Sequence, residues 1–215
     1  MRAALVTPDR LLARRVAAAL DRWGIVPDES AGLPLVLSPP GRFLRHVAAL
    51  AGQKLTVEAL LTLLKHPLTC SGGEARGPHL LFTRELELHL RRHGPAFPAA
   101  ADLAKWAAKG PEDGRAAWVA WLGETLSGLE ELSGEYPLLA CVETLLARAE
   151  ALAAGPGGSP RTLWAEAAGR EAARILSELR REARMVAASR PMTSPTCWRR
   201  CCKPDPFAPP TRRTR

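Results

Sequence analysis

Three kinds of side chain in this sequence could do chemistry: carboxylates, histidines and thiols. Asp102, Glu112 and Asp113 lie near one another, and a nuclease needs carboxylates gathered around a divalent metal. They sit around loops and at a helix start, where capping and solvation account for them. His46, His66, His79, His89 and His93 are scattered. Only His89 and His93 have i,i+4 spacing; with no acidic or cysteine partner in the local pattern, they read as a solvated helix face. Cys70 and Cys141 are isolated and read as small buried hydrophobes. Cys197, Cys201 and Cys202 lack the CxxC…CxxC arrangement of a tetrahedral zinc knuckle, and five cysteines of this spacing are no disulfide framework. No GxxxxGK(S/T), HExxH or GxSxG occurs, and the run Gly155-Pro156-Gly157-Gly158 lacks the lysine and the preceding strand of a phosphate loop. The sequence therefore offers no catalytic residue, no metal ligand and no cofactor site.

Charge is the next candidate signal. The 215 residues carry a net +8, which invites a nucleic-acid reading. However, residues 190–215 hold seven Lys or Arg against one acidic residue, so the preceding 189 residues carry only +2. Basic residues on helices, Arg84, Arg91 and Arg92 or Arg180, Arg181 and Arg184, could touch phosphates. They are interleaved with glutamates or lie beside them, as on an ordinary charged helix face. Trp23, Trp106, Trp118, Trp121 and Trp164 lie in or beside helical stretches, where core packing is the usual role; Trp198 lies in the basic tail.

The elements that must position these residues follow from periodicity and punctuation. Residues 3–7 are short and apolar and end at Thr7-Pro8-Asp9, which predicts a buried strand leaving through a turn. Asp9 can cap a helix whose stripe is Leu12, Val16, Leu20 and Trp23, stopped by Gly24. Residues 25–37 contain Pro27, Gly32 and Pro34 and read as an extended or looped piece, which completes a strand–helix–short strand unit. From Ser38, a cap followed by Pro39, the pattern turns helical: Phe43, Leu44, Val47 and Leu50 make one stripe. Thr56 can cap a second helix through Leu60, Leu61 and Leu64, ended before Pro67. Further helices are expected over residues 80–92, 102–108, 115–132 and 136–152. Thr162 is expected to cap a last helix, reaching residue 188. Six of the 26 residues from 190 onward are Pro and three are Cys, so no fold is expected there.

Several blocks carry a resemblance. ALVTPDRLLARRVAAALDRWGI at residues 4–25, SPPGRFLRHVAAL at 38–50 and LLTLLKHPL at 60–68 resemble AddB, a subunit of the AddAB double-strand-break repair helicase–nuclease in its alphaproteobacterial form. Leu163-Trp164 and the run ARMVAASRPMT are similar to that family as well. The resemblance spans residues 3–193, most strongly in the first 70. It implies a superfamily-1-like helicase architecture, with residues 1–37 as the start of the second, α/β RecA-like motor domain and residues 38–189 as a helical insertion domain. The partners it implies are an AddA-like helicase–nuclease subunit and double-stranded DNA ends, engaged by the full complex. No catalytic residue transfers; the phosphate-binding loop would lie upstream, and the nuclease carboxylates and cluster cysteines far downstream.

The expectation is thus a mostly α chain with a small N-terminal α/β element, an internal piece of a DNA-repair subunit that contributes scaffold rather than catalysis. Arg10, Arg14, Arg15, Arg91 and Arg92 are the candidate DNA contacts. The tail at 190–215 departs from the family pattern, and a shifted reading frame in a GC-rich gene is one account of it. A non-enzymatic helical scaffold or protein-interaction module is the alternative. The opening residues do not read as a secretory signal and no apolar stretch reaches about 18 residues, so a cytoplasmic setting without membrane partners is expected.

Overall fold

In the computed structural model the described residues are 3–28, 34–110, 114–132 and 136–187. Among them every regular element is helical and no β-strand occurs. This corrects the expected N-terminal α/β element. Strand hydrogen bonds run between segments, and residues 3–7 have no extended partner among the described residues; Leu5 and Val6 are exposed. The expected second extended piece supplies none either, because Leu35–Leu37 closes into a single 3-10 turn.

The chain divides into two compact units, Met1–Pro34 and Leu35–Arg215. The first contains α1 (Arg10–Asp21). Asp9 caps it, its Oδ1 accepting from the backbone N–H of Leu11 at 2.8 Å and of Leu12 at 3.3 Å, and Gly24 follows with φ +67°. Val16 and Leu20 are only half-covered, α1 buries no residue fully, and Trp23 is 81% exposed. Trp23 was expected on the apolar stripe of a packed helix, but no core forms beneath it.

The second unit is a helical assembly. Ser38 accepts from the Gly41 N–H and starts α2 (Pro39–Ala49). Thr56 Oγ1 accepts from the Ala59 N–H at 3.1 Å and starts α3 (Val57–Leu64). Then come α4 (Arg76–His93), α5 (Ala100–Ala108), α6 (Arg115–Leu126) and α7 (Leu138–Ala154). Asp102 Oδ2 accepts from the Ala99 N–H at 3.1 Å, closing the first turn of α5. The last expected helix is in fact two, α8 (Arg161–Trp164) and α9 (Glu166–Ala187). Ala165 is extended and Glu166 has φ +58°, so the chain bends there. Thr162 lies inside α8 and shares a 2.6 Å hydrogen bond with Ser71 instead of capping α9.

Two apolar clusters fill this unit and meet at α3. Leu63 joins residues of α2, α7 and α8, among them Phe43, Val47, Leu145, Leu152 and Leu163. Leu60 and Leu64 join α4, α5 and α6 through Phe82, Leu86, Trp106, Trp118 and Leu122. A helix with the usual single apolar stripe serves one core; the run LLTLL gives α3 two. Leu60, Leu63 and Leu64 are completely buried. Leu63→Ala is expected to cost about 2–5 kcal/mol in urea unfolding, whereas Thr62→Ala on the exposed side should stay within about 0.5 kcal/mol. Equal effects from the two would disprove the shared-wall role of α3.

Candidate functional site

Burying α3 on both sides leaves its C-terminal carbonyls out of reach of water, and each needs a donor. Thr69 Oγ1 donates to Leu63 O at 2.6 Å. His79, from the first turn of α4, reaches Leu64 O with Nε2 at 2.8 Å. The Arg76 guanidinium donates to His66 O at 3.1 Å and also to Thr69 O. The segment after α3 is thereby tied back to it.

His79 has one consistent protonation state. The indole Nε1 of Trp118 can only donate, and it points at His79 Nδ1 from 3.1 Å. Nδ1 must therefore be bare, leaving Nε2–H to donate to Leu64. Burial lowers its pKa, with Arg76 pushing the same way and the Leu64 hydrogen bond opposing. His66 is held more firmly in the neutral form, down to about 4, by burial first and then by His46, Arg76 and Arg42. Its Nδ1 accepts from the Leu68 N–H at 3.2 Å, and its ring lies 5.1 Å from that of Phe43, tilted by 39°.

Two exposed arginines, Arg42 and Arg45, border this buried network. Arg42, Arg45 and His46 share one side of α2, being three and four residues apart, and the two arginines are exposed. The His46 and His66 rings lie 6.0 Å apart, and Arg76 holds the His66 carbonyl. Burial lowers the His46 pKa first, then Arg45 and Arg42. Among the described residues no carboxylate pairs with Arg42, Arg45 or Arg76. The sequence carries these residues as RFLRH, in which Phe43 turns into the core while Arg42 and Arg45 stay outside.

Cys70 lies where two glycine-containing loops meet. Its N–H donates to Leu152 O at 2.8 Å, the Gly72 N–H to Ala153 O at 3.1 Å and the Ser159 N–H to Gly72 O at 3.1 Å. The backbones are so close that a Cβ on Gly72 would overlap the Ser159 carbonyl. Cys70 itself has φ 52°, and burial pushes its thiol up to about 12. A thiol so poorly ionised is inert as a nucleophile. Cys141 is also buried, with its pKa raised by burial. The Gly155–Gly158 run is an inter-helix loop that packs closely against Cys70 and Gly72.

The other sequence candidates are placed as follows. Arg10, Arg14 and Arg15 are exposed on α1 of the first unit. Arg91 and Arg92 are exposed on the last turn of α4. Arg91 is bound to Glu87 at 2.7 Å, and Glu87 also takes Lys65 at 2.6 Å. The His89 and His93 rings lie 5.8 Å apart, and His89 also faces Trp106 at 6.4 Å. Trp106 in turn carries the Arg115 guanidinium 4.7 Å above its ring, and Arg115 pairs with Glu85. Arg180 and Arg184 face Glu143 across helices, and Arg181 faces Glu182. Glu112, Asp113, Trp198, Cys197, Cys201, Cys202 and the whole tail at 190–215 lie outside the described residues.

Among the described residues no group of three or more His, Cys, Asp or Glu is disposed to hold a metal ion. No helix among them is long and apolar enough to cross a membrane. In comparisons with protein-family models, curated proteins and solved structures, the chain matches none. What the fold and site define is therefore a class: a helical assembly whose potentially reactive side chains hold its own interior together.

His79→Leu strands both the Trp118 N–H and the Leu64 carbonyl. It should lower the unfolding free energy by about 2–4 kcal/mol, and a urea midpoint equal to the parent's would refute the bridge. Folded His66 binds a proton only near pH 4, against 6.5 for an ordinary histidine. Between these values the unfolded chain binds more protons, so stability is full above pH 6.5 and drains as pH falls toward 4. His66→Asn should make the melting temperature less sensitive across that window; an unchanged pH slope would count against His66 as the sensor.

Proposed function

We propose that this chain is a non-enzymatic helical scaffold, a protein-interaction module, working in a cytoplasmic setting. The observation that supports this is the employment of its chemically capable groups. His79 and Thr69 serve the last carbonyls of α3, His66 and Arg76 hold the turn that follows it, and the Cys70 and Cys141 thiols are buried. Leu80, Leu81 and Leu88 of α4 meanwhile stand exposed, as does Phe97 beyond its end, and Leu81 and Leu88, seven residues apart, lie on one side of the helix. Exposed apolar side chains of this size are what a partner's surface would cover.

A second reading places the scaffold in an AddB-like subunit that works with an AddA-like helicase–nuclease on double-stranded DNA ends. The sequence blocks at residues 38–50 and 60–68 support it, together with the helical character of residues 35–187, which the resemblance implies for an insertion domain. In that reading Arg10, Arg14, Arg15, Arg91 and Arg92 contribute DNA contact and no catalysis.

Photo-crosslinkers at Leu81 and Leu88, in the organism that makes the protein, should each yield the same defined protein adduct, and one at exposed Lys54 should not. The scaffold reading fails if those adducts are absent. It also fails if the purified chain turns over ATP or nucleic acid and loses that turnover in a single-residue variant that still folds.

A further inference from the structure

Alone among the described α-helices, α1 buries none of its residues. Its two sides are nevertheless sharply divided. At about 100° per residue, Arg10, Arg14 and Arg15 fall within one arc of the helix, and Leu12, Val16, Ala19 and Leu20 within the opposite one. Arg22, at the C-cap, continues the cationic side, which Leu11 and Asp21 interrupt. From Arg10 to Arg22 four arginines stand against that one carboxylate; the other acid nearby, Asp9, is committed to the helix cap. In the second unit the same kind of stripe is spent on a core: α2 buries Phe43 and Val47, and α9 buries Leu176. On α1 Leu12 is exposed, and Trp23 just past its end is 81% exposed. Leu5, Val6, Ile25 and Val26, in the segments on either side of the helix, are exposed as well.

We propose that α1 is an amphipathic anchor that lies on an anionic phospholipid surface. The combination present here is what such an interface selects: arginines on one side, leucine and tryptophan on the other, and no core already claiming the apolar side. Anionic headgroups complement the four arginines, and the headgroup level suits an indole such as Trp23, apolar in body with one polar N–H. A bilayer fits this surface better than a protein groove does, because the apolar residues at 5–6 and 25–26 lie outside any regular element. Fluid hydrocarbon accepts such an irregular set, whereas a groove demands complementary shape. Attachment of this kind takes no membrane-spanning length, and it departs from the expectation of a chain without membrane partners. It gives Arg10, Arg14 and Arg15 a lipid partner where the AddB-like reading gives them DNA. It goes beyond the scaffold reading, whose exposed leucines lie on α4.

The full chain is floated with vesicles of equal parts phosphatidylcholine and phosphatidylglycerol, and with vesicles of phosphatidylcholine alone. Arg14→Glu/Arg15→Glu is compared with Arg84→Glu/Arg92→Glu on α4, which changes the net charge equally. Leu12→Gln/Trp23→Gln is compared with Leu81→Gln/Leu88→Gln, which removes exposed apolar side chains from α4. The seven Lys and Arg beyond residue 189 give every variant the same background. Each α1 variant is expected to partition roughly tenfold more weakly onto the anionic vesicles, and each α4 variant to stay within about twofold of the parent. Trp23 emission, taken as the difference between the parent and Trp23→Phe, should move to shorter wavelength and lose acrylamide quenching when anionic vesicles are added. Equal losses in the α1 and α4 variants overturn the proposal, because overall charge and apolarity would then explain binding. Undiminished binding by the α1 variants overturns it too, as does Trp23 emission that ignores the vesicles. If Trp23 is already shielded without lipid, in a concentration-dependent dimer, the occupant is a second copy of the chain. If Arg14→Glu/Arg15→Glu loses affinity for a duplex of random sequence but keeps its vesicle affinity, the partner is nucleic acid. Either result removes the membrane assignment.

Discussion

Everything in the second unit depends on α3 being buried on two sides. A helix of eight residues is too short to persist alone in water, since nucleation is costly and few hydrogen bonds follow it. This one is held by Leu63 in one cluster and by Leu60 and Leu64 in the other. Neither cluster closes without it, and the helices of the two clusters are joined through that shared wall. Trp121 and Leu126 also pack against both clusters, which makes the seam wider than one helix.

That burial imposes a second demand, and the demand explains most of the unusual polar residues. A helix end removed from water must have its carbonyls satisfied, because an unpaired buried acceptor costs on the order of 1–3 kcal/mol. Thr69 and His79 meet this demand at Leu63 and Leu64, Arg76 does the same for the His66 and Thr69 carbonyls just beyond, and His79 must be neutral to do so while accepting from Trp118. The same residue types in an open cleft would suggest catalysis. Here each has its hydrogen bonds within the fold, and burial drives the histidines toward neutrality. Arg42 and Arg45, exposed on the outer side of α2, take no part in it.

Local signals in the sequence were strong where a short-range cause sufficed. Asp9, Ser38 and Thr56 cap the helices they precede because a side-chain oxygen two or three residues away from an orphan N–H needs nothing else. Of the stripes of α2 and α3, Phe43, Val47, Leu50, Leu60, Leu61 and Leu64 are buried and Leu44 is half-covered. Thr162 misled for a reason that lies far off in sequence: its hydroxyl is taken by Ser71, and the chain bends at Ala165 and Glu166 instead. The strand expected at residues 3–7 failed similarly. An apolar run is necessary for a buried strand, but a strand exists only where another backbone lies alongside.

The sequence by itself determined the capped starts of α1, α2 and α3, the presence of helices along most of residues 38–188 and the inertness expected of isolated Cys70 and Cys141, because those follow from periodicity, capping and the polarity of neighbours. It also held the RFLRH pattern that puts two arginines and a histidine on one side of α2. Only the tertiary structure decided that α3 belongs to two cores, that His79 bridges Leu64 and Trp118, and that Arg76 lies behind His66. Those relations join residues 15 and 39 positions apart, as Leu64 to His79 and His79 to Trp118. Chain separation of that size carries no periodic signal; it is set by which faces pack once water is excluded.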